Sequence, residues 1–348
     1  MKIGFVVNEI ETEQPGYTTT YLAMAATRLG HQAWYIRVSD FCYGPGEHIH
    51  AEARRVSQSN HRLSQAYLHD LRGEQAITGF IDVCELDVLM LRNDPAEDVV
   101  SRPWARLAGI NFGRFAARRG VLVVNDPDGL ARAVNKLYLQ EFPAEVRPRA
   151  FIGRDRQKLR AFCKEMGGTA VLKPLFGSGG RNVFLVRPED APNVNQIIEA
   201  VSRDGFIVAQ EYLPEVVHGD TRVFVINGQP LCHEGRCACI RRIRSNGDIR
   251  NNMTAGATSA PASLNDDIKH LVERVGPKLI RDGMFLVGLD IVGSKLIEIN
   301  VFSPGGLESA EAFTGARFSR MIIQDLERKL DYRLDASHRF SNPELATF

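Results

Sequence analysis

A mixed fold, parallel α/β at the amino terminus and α+β beyond it, is predicted by three observations. The first is a βαβ opening: residues 3–7 read as a buried strand, Leu22, Ala25, Ala26 and Leu29 recur at helical spacing before Gly30, and residues 33–38 read as the next strand. The second is a pair of apolar strands, 88–91 and 121–124, which run into the polar clusters Arg92-Asn93-Asp94-Pro95 and Asn125-Asp126-Pro127. In open parallel sheets, ligands sit beyond the carboxyl ends of strands. The third is a change of character after residue 128, where short strands are punctuated by glycine-rich turns and end in an apolar hairpin at 288–301.

Composition bounds the rest. The chain has 348 residues, 44% of them hydrophobic, enough for a large core in two or three domains. Lysine and arginine number 43 against 42 acids, which argues against wholesale attraction to nucleic acid or to an anionic membrane. The amino-terminal apolar run is too short for a signal peptide and no later run reaches the length of a membrane span, so a cytoplasmic location is expected. The six cysteines form no disulfide-like framework, and reduced thiols are expected. Cys232-His233 with Cys237 and Cys239 lacks a usual zinc-finger spacing and reads as strand.

The βαβ opening has no GxGxxG after its first strand, which disfavours a dinucleotide-binding domain. Residues 41–79 are polar, rich in His, Arg, Gln and Ser, and read as a solvated helical excursion without chemistry. A helix over about 128–141 carries Lys136, and the strand 170–174 carries Lys173 into Leu175-Phe176-Gly177-Ser178-Gly179-Gly180-Arg181. A glycine loop lets backbone N–H groups approach phosphate oxygens, with a lysine at the strand end adding charge. A glycine cluster after a strand is equally often a hairpin turn, and no Walker GxxxxGK[ST] is present. Next come a strand at 206–213 and another at 220–226 that ends in an Asn227-Gly228 turn, with Asp220 and Arg222 at its mouth.

The basic stretch 241–256 contains Arg241, Arg242, Arg244 and Arg250, followed by Asn251-Asn252. A long charged loop fits a lid over anionic substrates; nucleic-acid contact and an inert solvated loop are the rival readings. In the hairpin, Asp290, Glu298 and Asn300 are set among Val, Ile and Leu. Carboxylates there are costly to desolvate unless a cation meets them. Glu298 and Asn300 share a face, and Asp290 joins them if the turn holds an odd number of residues, as a Val292-Gly293-Ser294 loop would. Magnesium typically takes one or two carboxylates and completes its shell with water and phosphate oxygens, so the hairpin suggests a nucleotide site; acids pointing into solvent are the alternative.

The order Lys136, Lys173 with its glycine loop, Gln210-Glu211-Tyr212-Leu213-Pro214, Asp220-x-Arg222, the arginine stretch, Asp290 and Glu298-x-Asn300 resembles the ATP-grasp superfamily. Within it, 209–214, Gly219-Asp220-Thr221-Arg222, Arg250-Asn251-Asn252 and 287–304 resemble bacterial glutathione synthetase, over most of the chain to about residue 330.

The resemblance implies an ATP-grasp fold behind a parallel-sheet pre-ATP-grasp domain. It divides the chain into 1–127 (substrate-binding), 128–209 (small subdomain with the glycine loop), 210–330 (lid and metal site) and a polar tail, 331–348. It implies an ATP-dependent carboxylate–amine ligase: ATP phosphorylates a carboxylate, an amine attacks the acylphosphate, and phosphate leaves. By the same resemblance Lys136, Lys173, Gly177, Ser178, Gly179, Gly180, Glu211, Tyr212, Leu213 and Asp220 bind ATP. Asp290, Glu298 and Asn300 hold Mg2+, with Mn2+ as the alternative ion; Arg222, Arg242 and Arg250 stabilise the acylphosphate; and Arg92, Asp94, Asn252 and Ser303 bind the substrates. Those substrates are a small or short-peptide acid and an amino-acid amine, with neither nucleic acid nor membrane as partner, and the family forms homo-oligomers. Two departures, Arg92-Asn93-Asp94-Pro95-Ala96 in place of a basic residue with Asp-Pro-Pro, and Gly305-Gly306-Leu307 in place of a polar residue, fall on the acyl-donor and amine side. The rival readings are a ligase that extends another peptide, protein or cofactor, and a non-catalytic ATP-binding regulator.

Overall fold

The computed structural model describes residues 1–99, 101–177, 179–243, 258–334 and 340–348. The first sheet is built from β1 (Lys2–Val7), β2 (Gln32–Arg37), β3 (Phe41–Tyr43), β4 (Ile49–Arg55), β5 (Ile77–Asp82), β6 (Val88–Leu91) and β7 (Leu122–Val124). Its centre, β2-β1-β6-β7, is parallel, and β1 and β6 are buried apart from Lys2, as strands covered on both faces must be. The helix Thr18–Arg28 makes the predicted crossover.

Residues 41–79 depart from the expectation. Only Ser64–Arg72 is helical; β3, β4 and β5 are antiparallel strands that widen the sheet. In β4 the buried positions are Ile49, Ala51 and Ala53, a period of two whose small alanines and intervening His, Glu and Arg disguise the apolar face. The predicted helix over 128–141 is also two pieces, an α-helix at Pro127–Arg132 and a 3-10 turn at Lys136–Glu141 capped by the Asn135 side chain.

A second sheet holds β8 (Ala150–Gly153), β9 (Ala170–Pro174), β10 (Phe184–Val186) and β11 (Ile207–Glu211) in the order β10-β9-β11-β8. Its core, with Leu159, Phe162, Leu172, Ile198 and Ile207, is separate from the two larger ones. A third sheet contains β12 (Asp220–Ile226) and β13 (Gln229–Pro230). The short pair β14 (Cys232–His233) and β15 (Arg236–Cys237) leads to its remaining strands, β16 (Cys239–Ile243), β17 (Thr258–Pro261), β18 (Leu286–Val292) and β19 (Lys295–Asn300). The two larger cores run through the first and third sheets together: Phe5 and Leu22 share one with Phe224 and Ile322.

Cys232 and Cys237, expected as free thiols, form a disulfide, because they stand directly opposite each other across β14 and β15. The carboxyl-terminal residues are not a solvated polar tail: the helix Phe318–Leu334 runs into them, and Asn342 donates to and accepts from the backbone of Val123 on edge strand β7. Leu345 and Ala346 are buried in the helix Asn342–Thr347. No helix among the described residues is long and apolar enough to cross a membrane.

Candidate active site

Seven of the predicted residues, Asp94, Lys136, Lys173, Gly177, Glu298, Asn300 and Ser303, line one cleft where the three sheets meet. Its walls include Asp94 beyond β6, Lys136 on its 3-10 turn, Lys173 and Gln210 on the second sheet, and Glu298, Asn300 and Ser303 from the end of the third. Of the two polar clusters predicted at strand ends, only that after β6 faces the cleft. Asn125 is structural: its side chain donates to the carbonyls of Leu286 and Val301 and accepts from the Leu286 N–H, while Asp126 caps the helix Pro127–Arg132.

The hairpin reaches its predicted face by a different route. The turn has two residues, with Val292 opposite Lys295 and Gly293 at φ 56°, not three. A two-residue turn alone would set Asp290 opposite Ile297. Instead the register shifts between Asp290 and Ile291, Ile297 becomes the extra residue of a β-bulge, and Asp290 stands opposite Glu298. Asp290 and Glu298 therefore share a face. The row continues across the sheet to Arg222, opposite Asp290, with Arg242 opposite Asp220 alongside.

This row is tightly paired. Arg222 grips Asp290 with two parallel bonds of 2.7 and 2.8 Å and donates a third, of 3.1 Å, to the Gly305 carbonyl. Arg242 bonds both Asp220 and Asp290, the latter at 2.7 Å, and Asn300 Nδ2 donates to Asp290 Oδ2 at 3.1 Å. Burial pushes the Asp290 carboxyl up, but the Arg222 and Arg242 guanidiniums outweigh it and hold the group below the usual range. Asp220 goes the other way, to about 6, because burial and the Asp290 charge outweigh Arg242. Gly219 permits the pairing: at φ 90°, a Cβ there would lie 2.2 Å from the Arg242 carbonyl oxygen.

Opposite this acidic side stand the lysines. Lys173 is lowered to about 8, first by desolvation, with Lys136 adding to the effect and Glu298 and Asp290 opposing it. Lys136 is lowered for the same first reason and donates to the Gly177 carbonyl at 2.6 Å, so it holds the glycine loop. Gly177, Gly179 and Gly180 all have positive φ, a backbone that glycine adopts without a steric cost. Arg106 lies 4.2 Å over the Phe176 ring and ties this loop to the first domain.

Beyond β6, Arg92 is buried and donates to Thr19 Oγ1 at 3.2 Å and to Ser303 Oγ at 3.3 Å. Desolvation lowers it to about 10 against the pull of Glu13, which burial raises to about 7. Glu13 and Thr19 carry no motif and were not predicted; only the fold brings them to Arg92.

Glu211 and Tyr212 line a second, shallower cleft with Arg149 and Glu165, and Arg149 N–H donates to the Glu211 carboxylate at 2.9 Å. It is Gln210 that shares the face of Lys173, because Val208 stands opposite Lys173 and side chains two apart face the same way. Counting strand positions would have found it. Leu213 follows at the mouth of the next turn, half-buried. Ser178, Arg250 and Asn252 lie outside the described residues, as does the arginine stretch after Ile243.

Two family models, the prokaryotic glutathione synthetase N-terminal domain and its ATP-grasp domain, match residues 1–131 and 135–315. The chain belongs to the prokaryotic glutathione synthetase family. It is 30% identical to a glutathione synthetase of Vibrio parahaemolyticus, over 95% of this chain and 99% of the relative, and 33% identical to one from Gloeobacter violaceus, over 93% and 95%. Among solved structures, the fold is similar to a D-cycloserine synthetase (TM-score 0.63, 14% identity, 93% of this chain and 99% of that one). An ATP-grasp ligase complexed with a minimal precursor is also similar (TM-score 0.57, 18% identity, 93% and 98%). As a member of this family the chain is an ATP-dependent, ADP-forming ligase that uses a divalent metal.

Proposed function

We propose that this ligase joins γ-glutamylcysteine to glycine. The observation that carries the reading is the single cleft in which Lys136, Lys173, Glu298, Asn300, Asp94 and Ser303 meet. A carboxylate oxygen of the dipeptide attacks the γ-phosphorus of ATP and ADP leaves. The glycine amine then attacks the acyl carbon, the C–O bond to phosphate breaks, and the ammonium proton passes to solvent. Lys136 and Lys173 neutralise the phosphate oxygens, and the glycine loop closes over them. Gln210 and the backbone of residues 211–213 border the base, with Asp220 on the ribose and triphosphate side.

Glu298 and Asn300 are the direct metal ligands in this reading, since the oxygens of Asp290 are already engaged by two guanidiniums and an amide. One carboxylate and one amide oxygen suit Mg2+, which keeps water and phosphate in the rest of its shell. The ion supplies Lewis acidity and charge neutralisation at the transferring phosphoryl group. Asp290 fixes Arg222 and Arg242, and these, with Arg250, stabilise the acylphosphate. Arg92, Ser303, Asp94 and Asn252 bind the acyl donor and the amine.

The test is ADP formation with ATP, Mg2+, γ-glutamylcysteine and glycine, each omitted in turn, with the product identified by mass. Dependence on all four and a product of glutathione mass are expected. Turnover with another acid or amine but not with this pair would overturn the substrate assignment.

A further inference from the structure

Away from the cleft, the strands that widen the first sheet carry an unexplained set of ligand-type side chains on one face. His50 stands opposite Cys42 on β3 and opposite Asp82 on β5, so the three form a row across the sheet. Residues opposite one another in a ladder, or two apart along a strand, share a face. His48 therefore lies on this face as well, and Cys84 follows Asp82 by two residues. The ligand-capable atoms of His48, Asp82 and Cys84 all lie within 4.8 Å of one another.

We propose that His48, Asp82 and Cys84 form a binding site for a borderline-soft divalent transition-metal ion of the Zn2+ class. A thiolate, an imidazole and a carboxylate make up a mixed set that such ions favour over Mg2+ or Ca2+, which prefer oxygen alone. Tetrahedral bonds to zinc imply ligand separations of roughly 3.3–3.8 Å, so the wider pairs of the cluster close by about 1 Å while His48 and Asp82, now 2.6 Å apart, open by about 0.7 Å. The half-exposed His48 side chain is free to make that movement.

Part of the site is already positioned. His48 Nδ1 is 2.6 Å from Asp82 Oδ2, and Asp82 Oδ1 accepts the Cys84 N–H at 2.8 Å, which fixes the carboxylate between its two neighbours. The nearby Arg119 does not take up this charge, since it is paired with Glu47 at 3.1 Å. Binding replaces the His48–Asp82 hydrogen bond with two bonds to the ion, and the Cys84 thiol proton goes to solvent. Water fills the fourth position. An ion here would clamp β4 to the turn after β5, and none of its ligands borders the ATP cleft.

The full chain with Cys232→Ser and Cys237→Ser, so that reduction of that disulfide cannot supply competing thiols, is titrated with Co2+ in excess Mg2+ while the near-ultraviolet thiolate-to-cobalt band is followed. The expected result is one Co2+ per chain, displaced by Zn2+. Cys84→Ser should abolish the band. His48→Gln, at an exposed position that does not endanger folding, should weaken binding by at least about tenfold while ligase turnover in Mg2+ stays unchanged. Absence of the band in the parent, its survival in Cys84→Ser, or an unaltered affinity in His48→Gln would each overturn the site.

Discussion

Arg92 donates to Ser303 Oγ across 3.3 Å, although 211 residues separate the two in sequence. The contact joins the end of a parallel strand in the first sheet to the segment after the β18–β19 hairpin. It sets one buried cation against Ser303, which lines the cleft. Arg92→Ala is expected to raise the KM for the acyl donor by roughly 10- to 100-fold, the worth of a charge-assisted hydrogen bond, with little change in kcat or in the KM for ATP. Steady-state kinetics with each substrate varied in turn checks this; a change confined to ATP would remove Arg92 from the acyl site.

Lys173 gives a pH signature. Its folded-state value of about 8 lies below the ordinary lysine range, so the charge that meets phosphate is present below pH 8 and is lost as pH rises through it. ATP affinity is therefore expected to fall above about pH 8, and Lys173→Arg, which keeps its charge, should flatten that decline. Lys173→Ala should weaken ATP binding most below pH 8, where the wild-type charge is present, and less as pH rises. Calorimetric titration with a non-hydrolysable analogue from pH 7 to 9.5 reads all three.

Asp290 and Glu298 should separate stability from turnover. Asp290→Asn leaves two buried guanidiniums short of a counter-charge and is expected to cost about 3–5 kcal/mol in urea denaturation. Glu298→Gln, half-exposed in the cleft, should keep near-normal stability while abolishing ADP release. Near-normal turnover of Glu298→Gln in Mg2+ would remove it from the metal site.

Gly219→Ala tests the backbone that seats Arg242. With φ 90° and ψ −175°, the position lies in a region essentially reserved for glycine, and the added Cβ meets the Arg242 carbonyl. A loss of at least about 1–3 kcal/mol is expected, read as a lower urea midpoint.

Much of this was legible in the sequence. Strand β6 and the rest of β1 after Lys2 are apolar runs, β9 is an apolar run into Lys173, and Lys136, Lys173, Glu298 and Asn300 line one cleft. Features that depended on distant partners were not. Asn125 resembles a ligand-binding strand end, but its partners are backbone groups of Leu286 and Val301, which no local pattern reveals. β4 was hidden because alanines form its buried face. Gln210 shares the face of Lys173 by strand alternation, a position that the motif reading, which assigned the backbone of Glu211 to Leu213, did not single out. The extra residue of the hairpin was expected in the turn, where glycine suggests freedom, and lies in the strand at Ile297.

That bulge sets what a change of length in this arm can do. Deleting Ile297 would restore the regular ladder of a two-residue turn, in which Glu298 takes the place opposite Asp290, so Glu298 and Asn300 would keep their face and only the local twist would change. A single deletion one step further along, at Ile299, would instead set Asn300 on the other side of the sheet from Glu298. An alignment gap is therefore harmless to the cleft at Ile297 and costly at Ile299.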